Sequence, residues 1–278
     1  MKKNDFDKFF KPYAKSVDKA NDGYFWILNN KIITEIIKLH IPVNSSKEKT
    51  ILDAGGGTGR WICNLAKIYK TKFVLYDLSE DMLKVAEKNI KKAGIENRVQ
   101  IINGGLENMS VIEDKTVDYI ISIYNPISFV TDKNKAISEM YRILKKNGVL
   151  IIMGQGFYNA LYSKINNFFA SAKEIKMIDK NSSVKWDKQT PGLHVFTQES
   201  LENLLESKSF KIIKSYGVPV FTQPGPEDFG GDDPNRSKIS QSLMKKDFFD
   251  LIVKTEMKYN SLATVVNRGM NIMTVAKK

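Results

Sequence analysis

Four glycines lie within five positions directly after a short apolar run, and this spacing is the clearest chemical signal in the chain. Residues 50–54 predict a buried strand, and the glycines of residues 55–59 predict a tight turn into a helix. Such a turn lets a ligand approach the backbone, and the helix N-terminus adds partial positive charge. Asp77 ends the next predicted strand, where a carboxylate can bind ribose hydroxyls. The pattern therefore predicts a nucleoside-binding site.

Two common nucleotide motifs do not fit these residues. A dinucleotide fingerprint needs a third glycine or alanine where this chain has the bulky Arg60. A phosphate-binding P-loop needs Lys-Ser or Lys-Thr after the glycines, and neither follows them. The ligand therefore carries a ribose but need not present a phosphate to the helix.

The elements that position these residues alternate between short apolar strands and longer helices. This alternation predicts an α/β fold with a doubly wound, mostly parallel sheet. From residue 156 the rhythm breaks, and single helices are predicted over 157–177 and 237–257. Later strands are predicted at 210–216 and 269–276, and residues 1–45 are predicted to be mostly helical.

Several motifs together resemble class I S-adenosylmethionine-dependent methyltransferases. Residues 53–59 read D-x-G-x-G-x-G, which resembles the first motif of that family. Residues 76–83 resemble its D-x-S-x-x-M-L, and residues 141–148 resemble its R-V-L-K-P-G-G. Residues 196–210 resemble its F-T-x-x-x-L…G-F. The resemblance covers roughly residues 48–155 and 193–278, and it implies a seven-stranded Rossmann-like sheet.

The resemblance also implies a domain organisation. Residues 1–45 are expected to form an N-terminal helical lid, and residues 46–278 the methyltransferase domain. Insertions are expected at about 157–192 and 218–260.

The resemblance implies S-adenosylmethionine as the cofactor and assigns roles to its binding residues. Asp53 would orient the methionine end, and Asp77 would accept both ribose hydroxyls. Leu78 and Met82 would pack on the adenine. The glycines that would let the cofactor approach the loop are Gly55, Gly57 and Gly59.

Adenine recognition departs from the family pattern after the third strand. The family often has an acid there that binds the adenine amine, whereas this chain has Gly105. The backbone near Leu106, the side chain of Asn103 and that of Glu107 remain alternatives. Tyr124 and Asn125, after the fourth strand, complete the predicted cofactor-binding set.

The acceptor is expected to meet the cofactor methyl group at residues 124–129. Asn125-Pro126 is similar to the N-P-P-[YF] of amino-group methyltransferases, but the second proline and the aromatic residue are absent. A small-molecule methyltransferase with a Pro-x-Ser loop, in which Ser128 contacts the acceptor, fits better. Further predicted acceptor contacts come from the lid and the first insertion, and they are Tyr13, Tyr24, Trp26 and Phe157.

Methyl transfer needs a general base only when the acceptor is protonated. His194 is the candidate base, with a surface or capping histidine as the alternative interpretation. No metal site is predicted.

Composition limits the partners. The net charge is +12, which suggests nucleic acid, but only five of the 43 basic residues are arginine and the lysines are scattered. Nucleic-acid binding is therefore not expected. One cysteine, no signal-peptide pattern and no apolar run of about 18 residues predict a cytoplasmic protein without a membrane span. The oligomeric state is not predicted.

The sequence thus predicts methyl transfer from S-adenosylmethionine to a small-molecule acceptor, with an O, N or C nucleophile left open. An RNA or protein methyltransferase is one alternative, and a non-catalytic S-adenosylmethionine-binding protein is another.

Overall fold

The computed structural model describes residues 9–14, 16–20, 22–44, 47–168, 170–187, 190–229 and 233–278. Within these ranges, strands pair into one nine-stranded sheet. The strands are β1 Thr50–Ala54, β2 Lys72–Asp77, β3 Val99–Asn103, β4 Val117–Ser122, β5 Leu144–Gly156, β6 Ser183–Val184, β7 Leu193–Phe196, β8 Lys211–Val218 and β9 Asn271–Lys277.

The core of the sheet has the spatial order β3-β2-β1-β4-β5, and all its pairings are parallel. β9 pairs antiparallel with β5 on one side and with β8 on the other. These seven strands form the predicted doubly wound, Rossmann-like sheet. The strand order reverses at β1, which has β2 on one side and β4 on the other. This reversal creates a crevice at the carboxyl ends of the strands, where such sheets bind ligands.

Two further strands extend the predicted seven. β7 pairs in parallel with the end of β5 through Gln155↔Val195, and β6 pairs antiparallel with β7. This addition is possible because β5 runs past the end of β4, which leaves its last residues without a partner on that side. The small hairpin therefore stands at the ligand-binding edge of the sheet.

Helices cover both faces of the sheet. They are α1 Val17–Ala20, α2 Tyr24–His40, α3 Arg60–Leu65, α4 Glu80–Lys92, α5 Pro126–Phe129, α6 Lys133–Ile143, α7 Phe157–Asn167, α8 Ala172–Asn181, α9 Gln198–Glu206, α10 Lys238–Leu243, α11 Lys246–Tyr259 and α12 Ala263–Val266. Residues 9–13 are also helical.

Two apolar cores lie between the sheet and the helices that cover it. The first contains side chains from α2, α3, α4 and α10, and the second contains side chains from α6 and α9. α2 is an integral part of the first core, because Leu28, Ile32 and Ile33 are fully buried in it. α2 therefore belongs to the packed core, and the predicted role of residues 1–45 as a lid stays a prediction. Residues 1–8, 15, 21 and 45 of the predicted lid lie outside the described residues.

Two predicted single helices are wrong. Residues 157–177 contain α7 and α8, and Ser171 begins α8 with a capping box in which Glu174 returns a hydrogen bond. Residues 237–257 contain α10 and α11, and Lys245 between them has an extended backbone. Among the described residues, no helix combines the length and apolar character needed to cross a membrane.

Candidate functional site

The glycine loop between β1 and α3 has the left-handed backbone that its glycines permit. Gly55 has φ +80°, and a Cβ there would lie 2.5 Å from Cβ of Pro126. Gly57 has φ +54°, and its Cβ would meet nothing closer than Met82 Sδ at 3.9 Å. A side chain at Gly55 would thus clash, whereas Gly57 leaves open space above its backbone. A ligand can reach the backbone of the loop through that space.

Asp77 stands beside this loop at the end of β2. Its Oδ2 accepts a hydrogen bond from the Gly57 N–H at 2.9 Å, and its Oδ1 accepts one from the Ser79 N–H at 2.8 Å. Burial raises the pKa of this carboxyl, while the backbone hydrogen bonds act in the opposite direction. Each carboxylate oxygen keeps a further lone pair, so the group can accept two hydroxyls.

Asp53 is buried below the loop. Its side chain is 1% exposed, and a Cβ on Gly56 would lie 2.5 Å from its Oδ2. Burial, with a smaller contribution from the charge of Asp77, raises the pKa of Asp53 to about 8. Asp53 is not among the residues that line the cavity described below. Its predicted contact with the methionine end therefore lacks direct access in this structure.

The region after β3 offers an open surface beside Leu78. A Cβ on Gly105 would meet nothing closer than Leu78 Cδ1 at 3.7 Å. Asn103 does not line the cavity, because its Nδ2 donates to the carbonyls of Asp77 and Leu78. Glu107 does line it, and its Oε1 accepts the N–H groups of Thr131 and Asp132.

The turn after β4 has two residues with left-handed backbones, Tyr124 at φ +61° and Asn125 at φ +70°. The Tyr124 hydroxyl donates to Asn30 Oδ1 on α2 at 2.5 Å. Burial raises the pKa of this phenol, and the positive charge of Arg60 partly offsets that effect. Asn125 Nδ2 donates to Asn271 Oδ1 at 2.8 Å. The turn is therefore held from both sides.

A cavity of about 630 Å³ connects the glycine loop to the helices above it. Its cofactor side includes eight predicted residues, which are Gly55, Gly57, Asp77, Leu78, Met82, Gly105, Leu106 and Asn125. Tyr124, predicted with them, also lines it. Its other side is rich in aromatic residues from separate segments, among them Phe10, Trp26, Phe129, Phe168, Trp186 and Phe229.

Two of the predicted acceptor contacts, Tyr13 and Trp26, line the cavity. The Trp26 indole N–H donates to the Asp228 carbonyl, and its ring packs edge-on against Phe229 at 5.6 Å. Phe10 packs in the same manner against Phe129 at 5.5 Å. These contacts join the N-terminal segment to two other walls of the cavity.

The remaining predicted residues lie outside the lining. Tyr24 packs against Phe249, and Phe157 packs against Tyr158. Ser128 is buried, and its Oγ accepts the Gln155 N–H. At Gly59, which precedes α3, a Cβ would lie 3.3 Å from Ala86 Cβ, so this glycine allows α3 and α4 to pack closely.

His194 also lies outside the cavity lining. Its neighbour Leu193 lines the cavity, and consecutive side chains of a strand point to opposite faces. The His194 ring packs against Phe196 at 4.6 Å. Burial and the charge of Lys133 lower its pKa to about 4. Its geometry does not support the predicted role of base.

Sequence reasoning missed several lining residues, namely Asp18, Arg60, Trp61, Gln155, Asn159 and Asn271. Arg60 and Trp61 directly follow the glycine motif, so their position was a usable signal. The others carry no local signature. Within the described ranges, no group of three His, Cys, Asp or Glu residues could hold a metal ion.

The fold and site define a doubly wound α/β protein that binds a nucleoside at the switch point of its sheet. Residues 51–148 match the family described as methyltransferase domain. The ubiquinone/menaquinone biosynthesis C-methyltransferase UbiE of Escherichia coli is 34% identical over 107 residues, which are 38% of this chain and 42% of that protein. This match therefore spans less than half the length of that relative.

Solved structures extend the comparison. A protein of Methanococcus maripaludis, described as an S-adenosyl-L-methionine-dependent methyltransferase, is 30% identical, with 73% of this chain and 87% of that chain covered and a TM-score of 0.52. A Thermotoga maritima protein described in the same way is 18% identical. The match covers 97% of this chain and 98% of that chain, with a TM-score of 0.59. The chain belongs to the S-adenosylmethionine-dependent methyltransferases, and S-adenosylmethionine is its cofactor.

The residues present fit that cofactor. Asp77 has acceptor capacity for the two ribose hydroxyls, and Gly57 and Gly105 leave open backbone on either side of it. Leu78 and Met82 line the cavity with apolar side chains, as the predicted contact with the adenine requires.

Proposed function

We propose that this protein transfers the methyl group of S-adenosylmethionine to a small, largely apolar molecule. The observation that carries the proposal is the single cavity that joins the cofactor residues to the aromatic walls. Pockets of this size, apolar with a few polar groups, are typical of small-molecule sites. A polymer such as RNA would instead need an open, basic surface.

The walls of the acceptor side come from three parts of the chain. The N-terminal segment contributes Phe10, the first insertion contributes Phe168 and Trp186, and the second contributes Phe229. Trp186 and Phe168 are held by the buried Lys164, whose Nζ donates to the Trp186 carbonyl and lies over the Phe168 ring. These additions to the seven-stranded core are the parts that we expect to select the acceptor.

When bound, S-adenosylmethionine supplies an activated methyl group on a sulfonium. The residues of the chain then have to bind the two reactants, align them and exclude water from them. Asp77 would hold the ribose, and Leu78 and Met82 would pack on the adenine. Tyr124, fixed by its bond to Asn30, would form a rigid wall beside the point of transfer. The aromatic residues above would exclude water.

No histidine supports a general base in this cavity. His40 and His194 are the two histidines of the chain, and neither is among the described lining residues. We therefore propose that transfer depends on alignment and exclusion of water. An acceptor that must lose a proton would need a base other than histidine, and the carboxylates of Asp18 and Glu107 line the cavity.

The relatives guide the choice of acceptors. The UbiE relative is named as a C-methyltransferase of ubiquinone and menaquinone biosynthesis. Aromatic walls can stack on a ring, so phenols and hydroquinones are suitable first probes beside amines and thiols. The O, N or C nucleophile stays open, and the cytoplasmic location stays a prediction.

The test is an acceptor screen with radiolabelled S-adenosylmethionine. We expect label to enter a low-mass apolar compound, and we expect Phe168→Ala to reduce that transfer more than cofactor binding. Tyr158→Ala is the matched control, because Tyr158 is an exposed aromatic residue of the same insertion. Label entering only RNA or protein, or cofactor binding without transfer to any acceptor class, would contradict the proposal.

A further inference from the structure

The outer side of the first insertion exposes large apolar side chains. On α7, Tyr158, Tyr162 and Ile165 are 52%, 54% and 62% exposed. Residues three and four positions apart share one face of a helix, so these three side chains form a row. Single exposed apolar residues are ordinary on a protein surface, whereas a contiguous group of them marks a site of interaction. The row therefore indicates that α7 contacts a partner.

The exposed row of α7 lies at the rim of the cavity. Asn159, Ser163 and Asn167, on the same helix, line the cavity. Asn159 and Ser163 directly follow Tyr158 and Tyr162, so the two faces lie about 100° apart around the helix axis. A molecule held at the exposed row is thus beside the cavity and is not separated from it by the core.

The mouth of the cavity is aromatic on other segments too. Tyr13, in the N-terminal segment, and Phe229, in the second insertion, both line the cavity. They are nevertheless 40% and 54% exposed, so they lie where the cavity opens to the surface. An apolar molecule entering the cavity therefore passes apolar side chains at its mouth.

The second helix of the insertion adds positive charge on the outside. Lys173, Lys176 and Lys180 are exposed on one face of α8. Together with Met177 and Asn181 they border one open depression of the surface. Their ammonium groups are thus gathered on one part of the surface.

The acids of α8 leave most of this charge in place. Glu174 is bonded to the buried Lys164, so Asp179 remains to offset the three exposed lysines. α7 and α8 bury their opposite faces in one apolar cluster, which contains Ala160 of α7 and Ile178 of α8. The apolar row and the lysines therefore both face outward on the same insertion.

The chemistry of this surface indicates its partner. Tyrosines and an isoleucine with lysines beside them match the boundary between the headgroups and the acyl chains of an anionic bilayer. A nucleic acid would bind the lysines through its phosphates but would leave the apolar row of α7 in water. A small apolar acceptor also collects in a bilayer, and this part of the argument rests on the proposed function.

We propose that the outer surface of the first insertion docks on anionic lipid bilayers. This α7–α8 surface consists of Tyr158, Tyr162, Ile165, Lys173, Lys176 and Lys180. The lysines approach the phosphates of the headgroups, and the apolar row enters the boundary with the acyl chains. The rim of the cavity then lies against the bilayer, so an apolar acceptor passes from the lipid to the cavity without crossing water.

The test is sedimentation of the full chain with lipid vesicles, without any acceptor. We expect binding to vesicles of mixed phosphatidylglycerol and phosphatidylcholine, and much weaker binding to phosphatidylcholine alone. The triple variant Lys173→Gln, Lys176→Gln, Lys180→Gln should bind the mixed vesicles about 100-fold more weakly, because each lysine near an anionic surface contributes about a factor of five.

The matched control removes the same number of charges from another surface. Lys88→Gln, Lys91→Gln, Lys92→Gln changes three exposed lysines of α4 and should bind the vesicles like the wild type. The double variant Tyr162→Ser, Ile165→Ser should lose the binding that persists at high salt, because salt screens charges but does not weaken apolar contacts.

Binding of S-adenosylhomocysteine, the demethylated cofactor, demonstrates that each variant is folded, since the altered residues are not among the described lining residues. Equal losses for the two lysine triples, or binding that phosphatidylglycerol does not strengthen, would overturn the proposal. Binding to RNA but not to vesicles would overturn it too, as would dimerisation that the Tyr162→Ser, Ile165→Ser variant abolishes. Failure of the acceptor screen would leave the vesicle result unchanged, so the two proposals fail separately.

Discussion

The carboxylate of Asp18 accepts a hydrogen bond from the hydroxyl of Thr58, with 2.8 Å between Oδ1 and Oγ1. Its other oxygen accepts one from Asn89 Nδ2 at 2.9 Å. Thr58 belongs to the glycine loop and Asn89 to α4. One side chain of the N-terminal segment is thus bonded to two elements of the cofactor-binding half, so closure over the cavity should depend on it.

Asp18→Ala should loosen the segment before α2. The two lost hydrogen bonds contribute about 1 kcal/mol each, so amide exchange of residues 9–20 should accelerate by up to about 30-fold. Hydrogen exchange read by mass spectrometry, with S-adenosylhomocysteine bound, measures this. Asp22→Ala is the control, because Asp22 is exposed nearby in the chain. Equal exchange in both variants would refute the role of Asp18. A deletion of residues 1–30 is a poorer test, since it removes Phe25 and Leu28 from the core.

Asp77→Ala should weaken binding of S-adenosylmethionine and of its demethylated product at least about 10-fold. Hydrogen bonds between a carboxylate and the ribose hydroxyls contribute about 1.5–3 kcal/mol each at most. Calorimetry measures the loss, with Glu80→Ala as an exposed acidic control two residues after Leu78. Tight NAD binding in the wild-type protein, with no binding of the product, would argue against the assigned ligand.

Asp53 should make stability depend on pH. Its folded-state pKa is raised to about 8, whereas 3.8 is the ordinary value, so in this interval the folded protein keeps a proton that the unfolded chain releases. The contribution of Asp53 to the free energy of unfolding is therefore fully present below about pH 4 and is lost as the pH rises toward 8. Asp53→Asn removes this loss, because an amide does not ionise.

Thermal unfolding of the protein without ligand should show this dependence. The Tm of the Asp53→Asn variant should exceed the wild-type Tm at pH 8, and the difference should shrink toward pH 5. Asp179→Asn, an exposed change on α8, should follow the wild-type profile. A constant Tm difference across the pH range would contradict the raised pKa.

His194→Ala should be nearly silent in catalysis. The pKa of His194 is lowered to about 4 by burial and by Lys133, so the ring is already neutral from pH 6 to 8 and does not face the cavity. The turnover rate with an acceptor from the screen should change less than about 3-fold, in contrast to the factor of 10² or more lost with a true general base. NMR titration of the ring gives the pKa directly. A loss of wild-type activity below about pH 6.5 that disappears in the variant would restore the histidine as a base.

The parallel sheet and the nucleoside site could be predicted because their signals are local. Three features of the site depend only on residues that are close in the chain. They are the positive φ angles of the glycines, the position of Asp77 at the end of β2, and the Ser79 cap, which accepts the Met82 N–H. The same locality explains the two wrong helices. A continuous apolar pattern does not reveal that Ser171 caps a new helix inside it.

The tertiary structure alone decided which side chains reach the cavity. Asp53 belongs to the most recognisable motif, yet packing of Gly56 above it covers its carboxylate. His194 and Leu193 are adjacent, yet the pleat of β7 turns only Leu193 to the cavity.

The side-chain amide of Asn125 donates to Gln155 and to Asn271, which lie 30 and 146 positions further along the chain. Hydrogen bonds over such separations are set by the order of strands in the sheet, which no local pattern encodes. The sequence by itself therefore determined the cofactor loop, and the packing of distant strands decided the rest of the site.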